Sequence, residues 1–316
     1  MAARSTMLGL LAAFVLVQTF IILAAEGQAE QIPLADLHFH PVEGLLPDTI
    51  LRAMDRAGVR WAGNGASAMG RDDLWFPFMQ AAPDRFLPFA GQGAIYMLVR
   101  DQGEAAWTLK SPELNRYLEK LEQDLQAGRF RGIGELFVNN VNTRPPAFQG
   151  TRYPADSLLM RRLLSLAATY QVPLSIHMEA DTGSVEELER LLPIDRKSAV
   201  IWAHCGSWAE ASLVRRLMTQ HPNIFCELSW RDGRRPGPRN PNVSILGFFG
   251  RLKSDWKELL EAHSDRFLIG TDSDSLGDYQ GIIDLYRNIL AQLTPEAARR
   301  IAYENAQRLF RLRPPQ

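Results

Sequence analysis

From Ile32 onward, short runs rich in β-branched and aromatic residues alternate with longer amphipathic ones. Eight runs read as strands: Pro33–His40, Val59–Asn64, Phe86–Gly91, Phe130–Leu136, Val172–His177, Ala199–His204, Asn223–Ser229 and Phe267–Asp272. Between them, helix-like patterns cover Pro47–Ala57, Pro112–Ala127, Asp156–Tyr170, Val185–Leu192, Trp208–Gln220, Asp255–His263 and Tyr279–Leu290. Ser111-Pro112-Glu113 has the form of an N-cap followed by an N1 proline, and Gly128 has the form of a helix stop. A last helix, Pro295–Leu312, is expected after the cap residue Thr294. Strands and helices alternating at this spacing build βαβ units and a parallel sheet. Eight units predict an α/β chain closed into a (β/α)8 TIM barrel, with an open doubly wound sheet as the alternative. The longest helix-poor insertions follow strands three, four and seven, and in a barrel these loops lie on the face where active sites sit.

A barrel needs about 250 residues. The chain has 316, so its first thirty or so can be set aside. Residues 1–29 are read as a targeting segment and 30–316 as the barrel domain. Arg4 gives a positive start, Met7 to Ala25 is apolar apart from Gln18 and Thr19, and small residues follow, as in a secretory signal peptide. Cleavage is expected near Ala25 or Ala29. An uncleaved membrane anchor is the alternative, because roughly 20 apolar residues also span a bilayer. Either reading exports the body to the periplasm or the outside, and limits membrane contact to this segment.

A formal net charge of −1 gives no global attraction to nucleic acid or anionic membrane, so a small-molecule substrate is the expected partner; a homo-oligomer is compatible with the sequence. The two cysteines, Cys205 and Cys226, fall on neighbouring strands at different depths and are expected as buried thiols rather than a disulfide.

Asp36-Leu37-His38-Phe39-His40 closes the first strand. Alternate residues of a strand share a face, so Asp36, His38 and His40 point together, and two such imidazoles can chelate one metal ion. Glu135 lies near the end of strand four, His177 ends strand five, His204 ends strand six and Asp272 ends strand eight. Four of the six histidines and two carboxylates thus fall at C-terminal strand ends, which a barrel brings to one mouth. Asp36 is a candidate to orient a liganding imidazole from behind, with a buried capping role as the equal alternative. Glu179 and Asp274 are read as solvated loop carboxylates rather than substrate contacts, and His221 and His263 as structural.

This ordered set of His-x-His, Glu, His, His and Asp resembles the amidohydrolase superfamily, nearest to its amidohydrolase-2 and TatD-like branches. The resemblance runs from strand one to Glu304-Asn305-Ala306-Gln307-Arg308-Leu309-Phe310. It implies a distorted TIM barrel with His38, His40 and Asp272 on a first metal, His177 and His204 on a second, and Glu135 bridging where other branches use a carboxylated lysine. Decarboxylase and lyase members near this branch use one metal or none and often lack the strand-four carboxylate, so Glu135 points to a hydrolase with two ions.

Nitrogen and oxygen ligands suit zinc, with manganese or iron as alternatives. A bound divalent ion makes water a nucleophile by lowering its pKa from roughly 15.7 to about 7. Asp272 is the candidate general base and then acid. The expected activity is hydrolysis of an ester, lactone, amide or phosphoester; a decarboxylase or lyase and a non-catalytic binding barrel are the alternatives. The absence of basic character argues against a TatD-like nuclease. After strand seven, Trp230 to Arg239 holds four arginines against one aspartate. Arg231, Arg234 and Arg235 are candidates to hold an anionic group of the substrate, because a guanidinium binds carboxylate or phosphate in bidentate fashion. Arg144 and Arg152, after strand four, could face the same mouth.

Overall fold

The computed structural model describes residues 32–65, 71–142, 150–233, 244–273 and 275–314. Among the described residues nine short parallel segments form two sheets: β1 (Leu34–Phe39), β2 (Val59–Asn64), β3 (Phe86–Leu87), β4 (Phe89–Gly91), β5 (Gly132–Asn139), β6 (Leu174–Met178), β7 (Val200–Trp202), β8 (Ile224–Glu227) and β9 (Phe267–Leu268). They pair as β1-β2-β3 and as β4 through β9 in sequence order. β3 and β4 are one strand interrupted at Pro88, whose carbonyl accepts from the Arg131 backbone N–H at 2.7 Å. Parallel bridges Asp36 to Ile269 and Phe39 to Ser273 join β1 to the chain beyond β9, and the ring closes.

The helices are α1 (Pro47–Ala57), α2 (Phe76–Ala81), α3 (Gln92–Gln102), α4 (Glu104–Trp107), α5 (Pro112–Gln126), α6 (Leu158–Tyr170), α7 (Thr182–Leu191), α8 (Ala211–Gln220), α9 (Ser254–Ala262), α10 (Tyr279–Leu290), α11 (Pro295–Arg299) and α12 (Asn305–Phe310). Local chemistry sets several ends. The Ser111 hydroxyl accepts from the Leu114 N–H at 3.0 Å and starts α5, and Gly128 takes a φ of 68° just past its end. Among the described residues no helix is long and apolar enough to cross a membrane.

Two expectations are corrected. The insertion after the third strand is helical, not helix-poor: α3 starts directly at Gln92. Ile95, Met97, Leu98 and Val99 crowd its middle without a clean polar face, so the helical period is obscured. The last helix is not continuous to Leu312. A π-helical turn at Arg300–Glu304 separates α11 from α12, and just after it the Asn305 side chain donates to the carbonyls of Ser264 (2.7 Å) and Phe267 (2.8 Å), tying α12 to the start of β9.

One buried cluster draws Ala35 and Leu37 from β1, Trp61 from β2, Leu87, Phe89, Ile201, Phe225 and Leu268 from five further segments, and Ala306 and Phe310 from α12. Residues from so many strands meet only inside the ring, and α12 therefore plugs the end where the strands begin. Each of the cluster's leucine, isoleucine and phenylalanine side chains contributes on the order of 1.5–3 kcal/mol by leaving water. A second, aromatic cluster sits behind β1, where Phe39 packs edge-on against Trp75 and Phe78 at 6.4 Å. Phe39 lies between His38 and His40, so anchoring it outward turns both imidazoles to the opposite face.

Candidate metal centre

The mouth gathers side chains from β1, β5 and β6 and from the turns after β7 and β9. Glu135, within β5, is at the centre. Its Oε1 lies 2.9 Å from His177 Nδ1 and 3.2 Å from His204 Nε2, and its Oε2 lies 3.1 Å from His38 Nε2 and 3.9 Å from His40 Nε2. One carboxylate thus faces two imidazole pairs with different oxygens. Asp272 Oδ1 joins the first pair, at 2.9 Å from His40 and 3.4 Å from His38. His38, Glu135, His177 and His204 are buried, and only His40 and Asp272 keep a small exposure.

The sequence places His204 and Asp272 at strand ends; the structure carries both past them. β7 stops at Trp202 and β9 at Leu268, while His204 (φ 53°) and Asp272 (φ 50°) adopt the left-handed conformation. That conformation turns a side chain out of the strand direction, and its cost is characteristic of sites where geometry is held by the surroundings. Here the holding bond is short: the Asp272 N–H donates to the His38 carbonyl at 2.6 Å. Gly270 allows the approach, since a Cβ there would lie 2.4 Å from His38 Cβ and 2.6 Å from Glu227 Oε1.

Glu227, at the end of β8, was not among the candidates read from the sequence, although it carries the same signal as Glu135: an acid in an apolar strand. It is buried, and its Oε2 lies 2.7 Å from His38 Nδ1, accepts from the Ser229 hydroxyl at 2.7 Å and accepts from the His204 N–H at 3.3 Å. Ser229 Oγ is also 2.7 Å from His204 Nδ1. Glu227 and Ser229 therefore fix the rear nitrogens of two imidazoles and leave Nε2 of each facing Glu135. Asp36 does not perform this task. Its carboxylate accepts from the Thr271 N–H and hydroxyl, both at 2.8 Å, and from the His38 N–H at 3.3 Å, so it joins backbones rather than a ring. Gln92, opening α3, donates to Glu135 Oε2 at 3.1 Å. Glu227→Gln is expected to weaken metal binding about 10- to 100-fold, the usual effect of losing a carboxylate behind a liganding imidazole. Competition with a chelator of known affinity measures it.

The electrostatics suit a cation. Burial disfavours charge on His38, but Glu135, Asp272 and Glu227 outweigh it and hold the pKa well above the ordinary histidine range. Burial likewise opposes the Glu135 carboxylate, yet the surrounding imidazoles of His38, His177 and His204 hold it well below its usual range. Asp272 is also buried, and His38 and His40 bring its pKa down to about 2. Two anionic carboxylates in an imidazole cage attract positive charge. Among the described residues three sets of side chains, His38–His40–Glu135, His38–His204–Glu227 and Glu135–His177–His204, each bring ligand atoms within 4.8 Å of one another. The donor set fits a divalent ion.

Other candidates fall elsewhere. Arg231 is corrected as a substrate contact: its guanidinium is buried, donates to the carbonyls of Cys205 (3.2 Å) and Ala209 (2.8 Å) and lies over the Trp256 ring. Arg152 pairs with Glu187 at 2.7 Å. Glu179 is buried rather than solvated, and accepts from the Asn142 N–H and side chain at 2.6 Å. His221 ends α8, and His263 accepts from Arg266 at 2.7 Å. Cys205 and Cys226 are buried free thiols. Arg144, Arg234, Arg235 and Asp274 lie outside the described residues. Trp230, for which no specific role is expected from the sequence, stacks on His204 at 4.7 Å and forms a wall of the mouth.

Fold and site together define a parallel α/β barrel with a buried, metal-capable centre where its strands end. A family model described as Amidohydrolase matches residues 35–312, and the chain belongs to the amidohydrolase-2 family. No curated protein matches the sequence. Among solved structures, 2,6-dihydroxybenzoate decarboxylase from Rhizobium is 15% identical with a TM-score of 0.56, covering 89% of this chain and 99% of its own. 4-Oxalomesaconate hydratase from Rhodopseudomonas palustris is 16% identical with a TM-score of 0.56, covering 88% and 95%. A probable 2-pyrone-4,6-dicarboxylic acid hydrolase from Acinetobacter baumannii is 12% identical with a TM-score of 0.52, covering 88% and 98%. The names of these neighbours span three reaction types, so the shared fold does not select among them.

Proposed function

We infer that this protein is a metal-dependent hydrolase acting on an ester, lactone, amide or phosphoester bond of a small, anionic substrate. The observation that supports it is Glu135, whose two oxygens are divided between the His38–His40 and His177–His204 pairs. His38, His40 and Asp272 would hold one divalent ion and His177 and His204 a second, with Glu135 shared; zinc suits these ligands best, and manganese or iron are the alternatives. The ions would supply Lewis acidity and a supply of ionised water at neutral pH. The protein's own contribution is orientation and proton transfer. Glu227 and Ser229 fix the rings, and the Trp230 and Phe137 rings, packed against His204 and His177, wall the centre. Asp272, held ionised beside His38 and His40, would accept the proton of the attacking water and return it to the leaving group. Arg234 and Arg235 remain proposed anchors for the anionic end.

Metal analysis of purified protein together with a panel of carboxylated esters, lactones and amides tests this reading. Two ions per chain and water-dependent cleavage support it, with lower kcat/KM in Arg234→Ala and Arg235→Ala. Release of carbon dioxide from an aromatic acid would instead establish the decarboxylase reading, which the aromatic walls favour.

Residues 1–29 are proposed to export the chain. Expressed in a bacterium, most of the protein is expected in the periplasm with its N-terminus near Ala25 or Ala29, as terminal sequencing would read. An intact Met1 in the membrane fraction would establish the anchor, and a soluble cytoplasmic intact chain would refute export.

A further inference from the structure

At the opposite end of the barrel, where the strands begin, a second cavity of about 290 Å³ is lined by Arg60, Arg131, Arg311 and Arg313, with Asp84 as its one acid. Trp61, from the buried cluster inside the ring, forms part of its apolar floor. Arg60 is the second residue of β2, Arg131 immediately precedes β5, and Arg311 and Arg313 follow α12. Arg311 takes a φ of 53°, which turns the tail back across the barrel end. Arg131 lies four residues before Glu135, about 13 Å along the strand, so this cavity is separate from the metal-capable mouth.

The arginines are not neutralised by one another's neighbours. Asp84 pairs with Arg313 at 3.0 Å, but both side chains are largely in solvent, where such a pair is weak. Arg311 donates to the neutral Gln171 amide at 2.9 Å. Neither Arg60 nor Arg131 has a side-chain hydrogen bond or ion pair among the described residues, and the Nε of Arg60 is buried without a partner. Four guanidiniums against one carboxylate around one concavity favour a compact oxyanion of more than one charge, and a phosphoryl group offers the tetrahedral oxygens that several planar forks can share.

We propose that the cavity formed by Arg60, Arg131, Arg311 and Arg313 at the N-terminal end of the barrel binds a phosphoryl group. Two sources share this chemistry, free phosphate and the headgroup of a phosphatidate lipid. Equilibrium dialysis of radiolabelled inorganic phosphate against the metal-replete full chain, at low salt, is the first arm. Wild type is expected to bind one equivalent more than Arg60→Gln/Arg131→Gln, whose affinity at this site falls at least about tenfold. Metal content stays unchanged in that variant, because neither residue touches the mouth. The single variants Arg131→Gln and Arg313→Gln repeat the comparison on exposed side chains if the double variant fails to fold. Flotation with phosphatidylcholine vesicles, with and without phosphatidic acid, is the second arm. Arginine-dependent capture by the anionic vesicles assigns the group to a lipid, and its absence beside arginine-dependent phosphate binding assigns it to a soluble ligand. Equal phosphate binding by wild type and variants, or none by either, with no vesicle capture, overturns the proposal.

Discussion

Replacing His38 and His40 together by alanine is expected to abolish tight metal binding and, with it, activity. The two imidazoles come from one strand, share Asp272 Oδ1 as a neighbour and face Glu135 Oε2, so their loss dismantles one whole half of the centre. The remaining half, Glu135 with His177 and His204, would keep at most a weakly held ion. Elemental analysis after dialysis reads the loss. His38 is also the partner of buried Glu227, and breaking a buried ionic pair costs about 3–5 kcal/mol. Thermal denaturation should therefore accompany the measurement, and His40→Ala alone, at the more exposed position, separates metal loss from unfolding. Full metal occupancy in the double variant would overturn the assignment.

Asp272→Asn is expected to leave a folded protein whose turnover is lower by at least about 100-fold, the scale of lost acid–base help. Asparagine keeps the size, retains one oxygen and tolerates the left-handed backbone that Asp272 adopts, so the substitution tests the proton and not the fold. KM should change little, because the residue would act on the attacking water rather than on substrate binding. Steady-state kinetics on the best substrate decides. Near-normal turnover would mean that the base lies elsewhere, with Glu135 the next group to replace.

Much of this site could be read before the fold was known. A run of apolar residues ending in histidine or acid is legible because barrel strands are buried on both faces, so a polar residue at their end has few purposes other than chemistry. That logic located His38, Glu135 and His177 on β-segments, His40 one residue past β1, and His204 and Asp272 beyond the ends of theirs. What it missed depends on backbone direction. No periodicity announces that His204 and Asp272 leave the strand in left-handed turns, because that conformation is imposed by partners distant in sequence, such as the His38 carbonyl. Glu227 went unread although its apolar strand carries the same signal as that of Glu135, and only the fold shows that it faces the rear of His38. Arg231 was misread for the opposite reason: its neighbours are glycine-, proline- and arginine-rich, and only the fold shows that it is turned inward to the carbonyls of Cys205 and Ala209.

That inward arginine acts as a brace for the site it was expected to serve as a substrate contact. Arg231 grips the turn that carries His204, while its own carbonyl accepts from the Ile245 N–H at 2.7 Å. With its side chain on the carbonyls of Cys205 and Ala209 and its own carbonyl on Ile245, this one residue ties three stretches of chain together beside the imidazole of His204, which is therefore braced from outside the pocket as well as from within it.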